Sequence, residues 1–261
     1  MVTGEISNSF DPSACAGMLL ELWRSGRQVD ALPAELRPIT LADGYAAQDR
    51  LFAAAGGARA GWKLGVGSPG QLRNAALSRP LVGQLASGRI HADGVHLRLP
   101  DAAPVTIECE VAYELAHDLT PEAMRDDPAG LIANTRISFE IVRSRFVDRR
   151  AVGWPSFVAD NVGFEALVLG APQAVDSLRG VYESMVVSVD GRPATRMLEG
   201  DDAIDAPQAL RYLADHARQF GITLRRGEIV STGTMTRPFD LSGTGHRVRA
   251  DFLGQSLNFS L

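Results

Sequence analysis

The sequence has few of the residues and patterns that mark several common protein classes. Its 261 residues include two cysteines, Cys15 and Cys109, and no Cys-x-x-Cys pair. Neither a disulfide framework nor a structural zinc site is therefore supported. No apolar run approaches the length of a membrane span, and residues 1–10 lack the apolar core of a signal peptide. We predict a protein of the reducing cytoplasm with no membrane partner.

The chain also lacks an excess of positive charge. Lys and Arg total 26 against 31 Asp and Glu, a formal net charge of -5, and the arginines are scattered. Without a basic patch we expect no nucleic-acid partner. The Gly-x-Ser-x-Gly motif is absent and the five histidines never occur as His-x-x-x-His. These absences argue against a serine hydrolase and a zinc protease.

Hydrophobic periodicity predicts helices in the N-terminal region. Asp11, followed by a proline, is typical of a helix start, and this helix should end near Gly26. A second helix should begin after Thr40 and end at Gly56. We assign residues 1–90 to an N-terminal α/β portion.

From residue 61 onward, short alternating segments between glycines and prolines predict a sheet-rich body. The predicted elements are strands at 62–66, 95–99, 105–115 and 137–146, a short helix at 160–169, a hairpin turn at Asp190-Gly191, a helix at 207–220 and short strands over 228–261. We assign residues 91–261 to a β-rich catalytic core, either as a separate domain or as one compact unit with residues 1–90.

The most informative local pattern is a pair of glutamates in the strand-like segment 105–113. Strand side chains alternate, so Glu108 and Glu110 should share one face. Two like charges there repel unless a cation or a shared proton offsets them. Glu140, in a similar segment, would complete a set that suits a hard divalent ion. A metal site, an acid/base pair and a solvated edge-strand face all fit the pattern, and we favour the metal site because Glu140 repeats the setting.

Lys63 lies between large apolar residues in a short segment bounded by Gly61 and Gly65. Its side chain either reaches back to water or points into a pocket beside carboxylates, where it would hold an anionic substrate or relay protons. The spacing leaves both orientations open.

The stretch from Gly65 to Gly70 has the spacing Gly-x-Gly-x-x-Gly, but Pro69 interrupts it. We interpret this stretch as a turn beside a site and not as a dinucleotide-binding loop.

Five blocks of sequence occur in an order that resembles a known family. They are Gly61-Trp-Lys-Leu-Gly-Val, Ile107-Glu-Cys-Glu-Val-Ala-Tyr, Phe139-Glu-Ile-Val-Arg-Ser-Arg, Val158-Ala-Asp-Asn and Ser231-Thr-Gly-Thr-Met-Thr-Arg-Pro. The order resembles the 2-keto-4-pentenoate hydratase / 4-oxalocrotonate decarboxylase group of the fumarylacetoacetate hydrolase-like superfamily, over most of the chain. The resemblance implies an α+β fold with a mixed β-roll core and a smaller helical or α/β N-terminal portion, assembled as a homo-oligomer.

The resemblance also implies a site and a chemistry. The implied residues are Glu108, Glu110 and Glu140 as ligands of Mg²⁺ or Mn²⁺, Lys63 as the catalytic residue, and Asn161 and Thr234 as contacts to the substrate. The implied enzyme is a lyase of aromatic catabolism that adds water to a small-molecule 2-hydroxy-2,4-dienoate to give a 4-hydroxy-2-oxo acid. The alternatives are decarboxylation of an oxalocrotonate-like diacid and a non-catalytic homologue or partner subunit that binds a 2-oxo acid.

Two departures from the family pattern bear on the reaction. Where family hydratases carry an aspartate in a Pro-Asp-x-Gly block, this chain has Leu81, and Ser156 replaces a second aspartate. A leucine has no group that exchanges protons. These differences indicate a different substrate or a divergent reaction.

Overall fold

The structure is a computed structural model that describes residues 10–99, 104–123, 129–174 and 178–261. Within these ranges the fold is α+β, as predicted. The helices are α1 (Pro12–Ser25), α2 (Leu41–Ala55), α3 (Pro69–Ala75), α4 (Trp154–Ala159), α5 (Leu178–Ser184) and α6 (Ala206–Phe220). The strands are β1 (Arg59–Gly65), β2 (Leu81–Ala86), β3 (Ile90–Ala92), β4 (Val105–Leu115), β5 (Ile132–Val142), β6 (Phe164–Leu169), β7 (Val186–Val189), β8 (Arg192–Pro193), β9 (Ile229–Thr234), β10 (Phe239–Leu241), β11 (Arg247–Phe252) and β12 (Gln255–Ser260). No helix in the described part of the chain is long and apolar enough to cross a bilayer.

The chain divides into two compact units. The smaller contains Met1–Gly56 and Ser144–Gly163, and the larger contains Gly57–Arg143 and Phe164–Leu261. These units differ from a division at residue 90 because β1 and β2 hydrogen-bond into the large sheet. The assignment of residues 1–90 and 91–261 to separable portions stays a prediction.

The smaller unit contains α1, α2 and α4, and its first two helices begin and end where the sequence predicts. The Asp11 side chain accepts hydrogen bonds from two backbone N–H groups of the first turn of α1, and Gly26 ends that helix with φ 73°. Thr40 and Asp43 form a capping box at the start of α2. The core of this unit is Cys15, Ala16, Leu19, Trp23, Leu32, Ala47, Leu51, Phe146 and Ala159.

The larger unit is built on a mixed sheet in the order β2, β1, β9, β4, β5, β6, β3, with β10 also paired to β4. The β1–β9 and β3–β6 pairs are parallel, and the other pairs are antiparallel. Strands β2 and β6 also contact each other although they are not neighbours in this order, so the sheet curls and encloses one face. An apolar cluster occupies that face and consists of Leu85, Ala112, Phe164, Leu167 and Ile229. A second sheet has the order β12, β11, β7, β8.

Three local predictions need correction. Residues 95–99 form no strand, because their only β-type pairing is a single bridge between His96 and Ser260. The strand expected at 137–146 ends at Val142 and begins earlier, at Ile132. The segment predicted as a helix at 160–169 is a short turn followed by β6, which is buried along almost its whole length. A short, continuously apolar run has no periodicity that separates a buried strand from a buried helix.

Candidate metal centre

Two glutamates of β4 lie on the enclosed face of the large sheet. Around Glu110, β4 is a central strand with β5 on one side and β9 on the other. Glu108 pairs directly across the strands with Glu140, and Glu110 pairs with Ser138. The shared face predicted from strand alternation is confirmed, and Glu140 joins it because the register places it opposite Glu108.

The three carboxylates are close together, and two of them are fully shielded from water. One oxygen of each lies within 4.8 Å of the other two. The side chains of Glu110 and Glu140 are 0% exposed, and that of Glu108 is half-buried. The interpretation of this pattern as a solvated face of an edge strand is therefore wrong.

Lys63 reaches the same cluster from β1. It pairs with Gly83 of β2 on one side and with Ser231 of β9 on the other. Its Nζ lies 2.8 Å from Glu140 Oε1, and its side chain is 2% exposed. Of the two orientations that the sequence left open, the structure has the inward one.

The position of Lys63 depends on a close approach between β1 and β9. A β carbon at Gly61 would lie 1.9 Å from the carbonyl oxygen of Ile229, which is far inside contact distance. Only glycine therefore permits the parallel pairing of Gly61 with Ile229 and of Lys63 with Ser231. This pairing brings the lysine to the face that carries the glutamates.

Lys63 is also the only lysine among the 26 Lys and Arg residues of the chain. Arginine stays protonated in proteins, whereas a lysine ammonium is able to release a proton. Lys63 is therefore the one Lys or Arg side chain of the sequence that is able to exchange a proton. When ionised, the three carboxylates and the one ammonium carry a formal charge of -2, which one divalent cation neutralises.

Glu110 is held on its β9 side. Its Oε2 accepts hydrogen bonds from Ser231 Oγ at 2.5 Å and from the Gly233 N–H at 3.1 Å. Its Oε1 is buried and has no hydrogen-bond partner within the described residues. Burial raises the pKa of Glu110 well above its usual value, and repulsion from Glu140 and Glu108 raises it further. A nearby positive charge would therefore stabilise the ionised form of the cluster.

The residues present fit a hard divalent cation. Carboxylate oxygens are the ligands that Mg²⁺, Mn²⁺ and Ca²⁺ prefer. Two oxygens on opposite sides of Mg²⁺ lie about 4 Å apart, and about 5 Å apart around Ca²⁺. The three glutamate oxygens all lie within 4.8 Å of one another, close to these spans, and Glu110 Oε1 is an acceptor without a partner in the described structure.

The backbone of Gly233 has a positive φ, and its neighbours leave little room for a side chain. Its φ is +107°, and a β carbon there would lie 3.2 Å from Ile204 Cδ1 and 3.4 Å from the Leu64 carbonyl oxygen. This turn aims the Gly233 N–H at Glu110. Neither Gly233 nor Ser231 was assigned a role from the sequence, although both lie in the last family block, because the β4–β9 register is not readable from one strand.

We expect Ser231→Ala to weaken binding of Mg²⁺ or Mn²⁺ by about tenfold or more, since hydrogen-bond partners of metal ligands commonly contribute that much. The matched control is Thr232→Val on the same strand, because the Thr232 hydroxyl donates to the Val111 carbonyl and not to a glutamate. Calorimetric titration of both variants tests this expectation. Equal metal affinity in wild type and Ser231→Ala would contradict it, and Thr232→Val should lower only thermal stability.

The two predicted substrate contacts have different settings. Thr234 lies in the larger unit, where its hydroxyl contacts the carbonyl oxygens of Cys109 and Thr236 at 3.2 and 2.7 Å. Asn161 lies in the smaller unit, directly after Asp160, and has φ 50°. Asp160 is fully buried and accepts hydrogen bonds from Ser144 Oγ and from the Arg145 backbone N–H. A substrate role for Thr234 and Asn161 stays a prediction.

The described contacts of the histidines are away from the glutamates. His216 is buried against Trp62 and Phe220, and burial lowers its pKa to about 4. His96 contacts Ser260, and His246 contacts Asp190. None of these contacts involves Glu108, Glu110 or Glu140.

Comparison with known proteins identifies the family. The chain is 30% identical over 191 residues, which is 71% of each protein, to a 2-keto-4-pentenoate hydratase of Paraburkholderia phymatum. The chain belongs to the 2-keto-4-pentenoate hydratase family. No family model matches it.

A second sequence relative and a solved structure are also similar to this chain. A 2-hydroxyhexa-2,4-dienoate hydratase of Comamonas testosteroni is 29% identical over 225 residues, 83% of this chain and 84% of that protein. The solved 4-oxalocrotonate decarboxylase from Pseudomonas putida G7, complexed with magnesium and adipate, has a TM-score of 0.82 and 17% identity, covering 95% of this chain and 96% of that one. A fumarylacetoacetate hydrolase family protein from Yersinia pestis CO92 has a TM-score of 0.54 and 16% identity, covering 77% of this chain and 91% of that one, so the expected fumarylacetoacetate hydrolase-like fold is confirmed.

Proposed function

We propose that this family member is a divalent-metal-dependent lyase that adds water to a 2-hydroxy-2,4-dienoate to give a 4-hydroxy-2-oxo acid. The observation that carries the proposal is the buried cluster of Glu108, Glu110 and Glu140 with Lys63 bonded to Glu140. The names of the hydratase relatives support the reaction, and the magnesium of the structural neighbour supports the class of ion.

The proposed metal centre uses Glu108, Glu110 and Glu140 as ligands for Mg²⁺ or Mn²⁺. When bound, the cation supplies Lewis acidity toward the carboxylate and 2-oxygen of the substrate. Lys63 is close enough to the same region to neutralise charge that builds on the 2-oxygen and to exchange a proton at Nζ. The burial of Glu110 and Glu140 strengthens the electrostatic interactions at this site.

The lining of the enclosed face favours an uncharged substrate tail. Leu167 lies opposite Glu140, and Leu81 lies at the start of β2, opposite Gly65; both are buried. On the same face of β4 and β5, Arg136 is already bonded to Glu114 at 2.8 Å. A second substrate carboxylate would therefore meet apolar side chains or a neutralised arginine. This feature favours hydration over decarboxylation of an oxalocrotonate-like diacid.

Leu81 and Ser156 differ from the family pattern without disturbing the cluster. Leu81 is 1% exposed in the β1–β2 pair, and Ser156 is buried in α4 of the smaller unit. We propose that Leu81 shapes the apolar wall and that Lys63, and not an aspartate at position 81, handles the proton.

A substrate panel tests the proposal. Protein stripped of metal with EDTA and reloaded with Mg²⁺ or Mn²⁺ should consume 2-hydroxypenta-2,4-dienoate and 2-hydroxyhexa-2,4-dienoate, followed as loss of ultraviolet absorbance without release of CO₂. Release of CO₂ from oxalocrotonate at the higher rate would establish the decarboxylase alternative instead. Binding of a 2-oxo acid without any turnover would indicate the non-catalytic homologue.

The cellular setting is part of the same proposal. We infer a cytoplasmic homo-oligomer in the catabolism of aromatic compounds. The two buried, unpaired cysteines support the cytoplasmic setting, and the family resemblance supports the assembly and the pathway. Size-exclusion chromatography with light scattering tests the assembly.

A further inference from the structure

Ser138 lies in β5 directly opposite Glu110 and on the same face of the sheet. Residues opposite one another in an antiparallel pair have β carbons about 5 Å apart. The Ser138 side chain is 0% exposed, so bulk water does not reach it. The hydroxyl therefore shares an enclosed space with the glutamate cluster.

Two neighbouring polar atoms in this space lack partners. Among the described residues, neither Ser138 Oγ nor Glu110 Oε1 makes a hydrogen bond, although both atoms are buried. A buried polar group without a partner destabilises a folded protein. In a native structure such a group calls for an explanation, for example a bound ion, an ordered water or a catalytic role.

The other oxygen of Glu110 is committed to the opposite strand. Ser231 and Gly233, both from β9, hold Oε2. Ser138 belongs to β5, on the other side of β4. Glu110 is thus flanked by one hydroxyl that already holds it and by a second hydroxyl, in register, that does not.

We propose that Ser138 is a positioning residue of the metal centre: with a divalent cation bound, its hydroxyl donates a hydrogen bond to Glu110 Oε1. A serine side chain is shorter than a glutamate side chain, so from β5 it contacts the ligand and not the ion. With Ser231 and Gly233 on Oε2, this bond fixes the carboxylate from both neighbouring strands and orients it toward the cation. The inference rests on the metal centre proposed above.

The proposal predicts effects of opposite sign in the two states of the protein. In the metal-free state, Ser138→Ala removes a buried hydroxyl that makes no bond, so the melting temperature should stay the same or rise. In the loaded state the same change removes a bond to a ligand, so cation affinity should fall. A hydroxyl with a purely structural role would move stability and affinity in the same direction.

Thr135 provides a matched control. It lies in the same strand, is 0% exposed, and its Oγ1 also has no hydrogen-bond partner within the described residues. It pairs with Tyr113, so it lies on the opposite face of the sheet. Thr135→Val should match Ser138→Ala in metal-free stability and retain wild-type cation affinity.

The experiment is calorimetric titration of EDTA-treated full-length protein with Mn²⁺ and Mg²⁺, together with thermal unfolding of the metal-free protein. We expect Ser138→Ala to weaken binding about tenfold or more, with Ser138→Cys, a weaker donor of similar volume, falling between alanine and wild type. Wild-type affinity in Ser138→Ala overturns the proposal, as does equal weakening in Thr135→Val. Absence of cation binding by the wild-type protein instead overturns the metal centre itself, so the two failures are distinguishable.

Discussion

Replacing Glu140 with glutamine should abolish tight binding of Mg²⁺ or Mn²⁺ and lower turnover by about 1000-fold or more. Glu140 is 0% exposed, lies opposite Glu108 and bonds Lys63. Glutamine keeps the shape and removes the charge, so the cation loses one of three anionic ligands. Loss of Lewis acidity at the substrate is worth several kcal/mol of transition-state stabilisation, which corresponds to a rate factor of about 10³ or more.

The matched control for Glu140→Gln is Glu114→Gln, which removes a carboxylate on the same face of β4. Glu114 bonds Arg136 and is partly exposed. It should retain cation binding, because it lies outside the group of three glutamates. Cation binding is measured by calorimetry, and turnover is measured with and without EDTA. Full activity in EDTA-treated wild-type protein would exclude a metal-dependent reaction, and full activity in Glu140→Gln would remove Glu140 from the proposed ligands.

Replacing Lys63 with alanine should lower turnover by about 10²- to 10⁴-fold, the range typical of a general acid or base. The effect on cation affinity should be much smaller. The Lys63 ammonium is 2.8 Å from Glu140 Oε1 and repels a cation at the same carboxylate, so its removal does not take away a ligand. Lys63→Met, which preserves most of the side-chain volume, separates loss of the ammonium from creation of a cavity.

The lone lysine allows a direct measurement. In protein labelled with ¹³C and ¹⁵N only in lysine, the side-chain resonances come from Lys63 alone, since the chain has no other lysine. We expect these resonances to shift on titration with Mg²⁺, because the cation and the ammonium share Glu140. Unchanged resonances at saturating Mg²⁺, or wild-type turnover in both Lys63 variants, would remove Lys63 from the site.

Local sequence signals predicted much of the fold. The caps at Asp11 and Thr40 fixed the starts of α1 and α2, and the αL glycine Gly26 fixed the end of α1, because these signals depend only on neighbouring residues. The turn at Asp190-Gly191 was predicted for the same reason, and both residues have positive φ. The errors at 95–99 and 160–169 arose where the outcome depended on a partner strand distant in sequence.

For the candidate site too, some features follow from a single strand and others depend on the pairing between strands. Strand alternation placed Glu108 and Glu110 on one face, because side-chain direction follows from the backbone of a single strand. Alternation did not determine which residue of β5 or β9 lies opposite each glutamate. The pairing register of β5 and β9 with β4 places Ser138 and Ser231 beside Glu110. No sequence motif indicated Ser138.

The sequence by itself determined which residue types are available: three glutamates in strand segments, one lysine, and family blocks in order. Only the tertiary structure decided that the glutamates are shielded and that Lys63 turns inward. The physical reason is that burial and charge pairing depend on distances between strands far apart in the chain. Curling of the large sheet encloses one face. Like charges on neighbouring strands are buried there, and a bound cation would stabilise them.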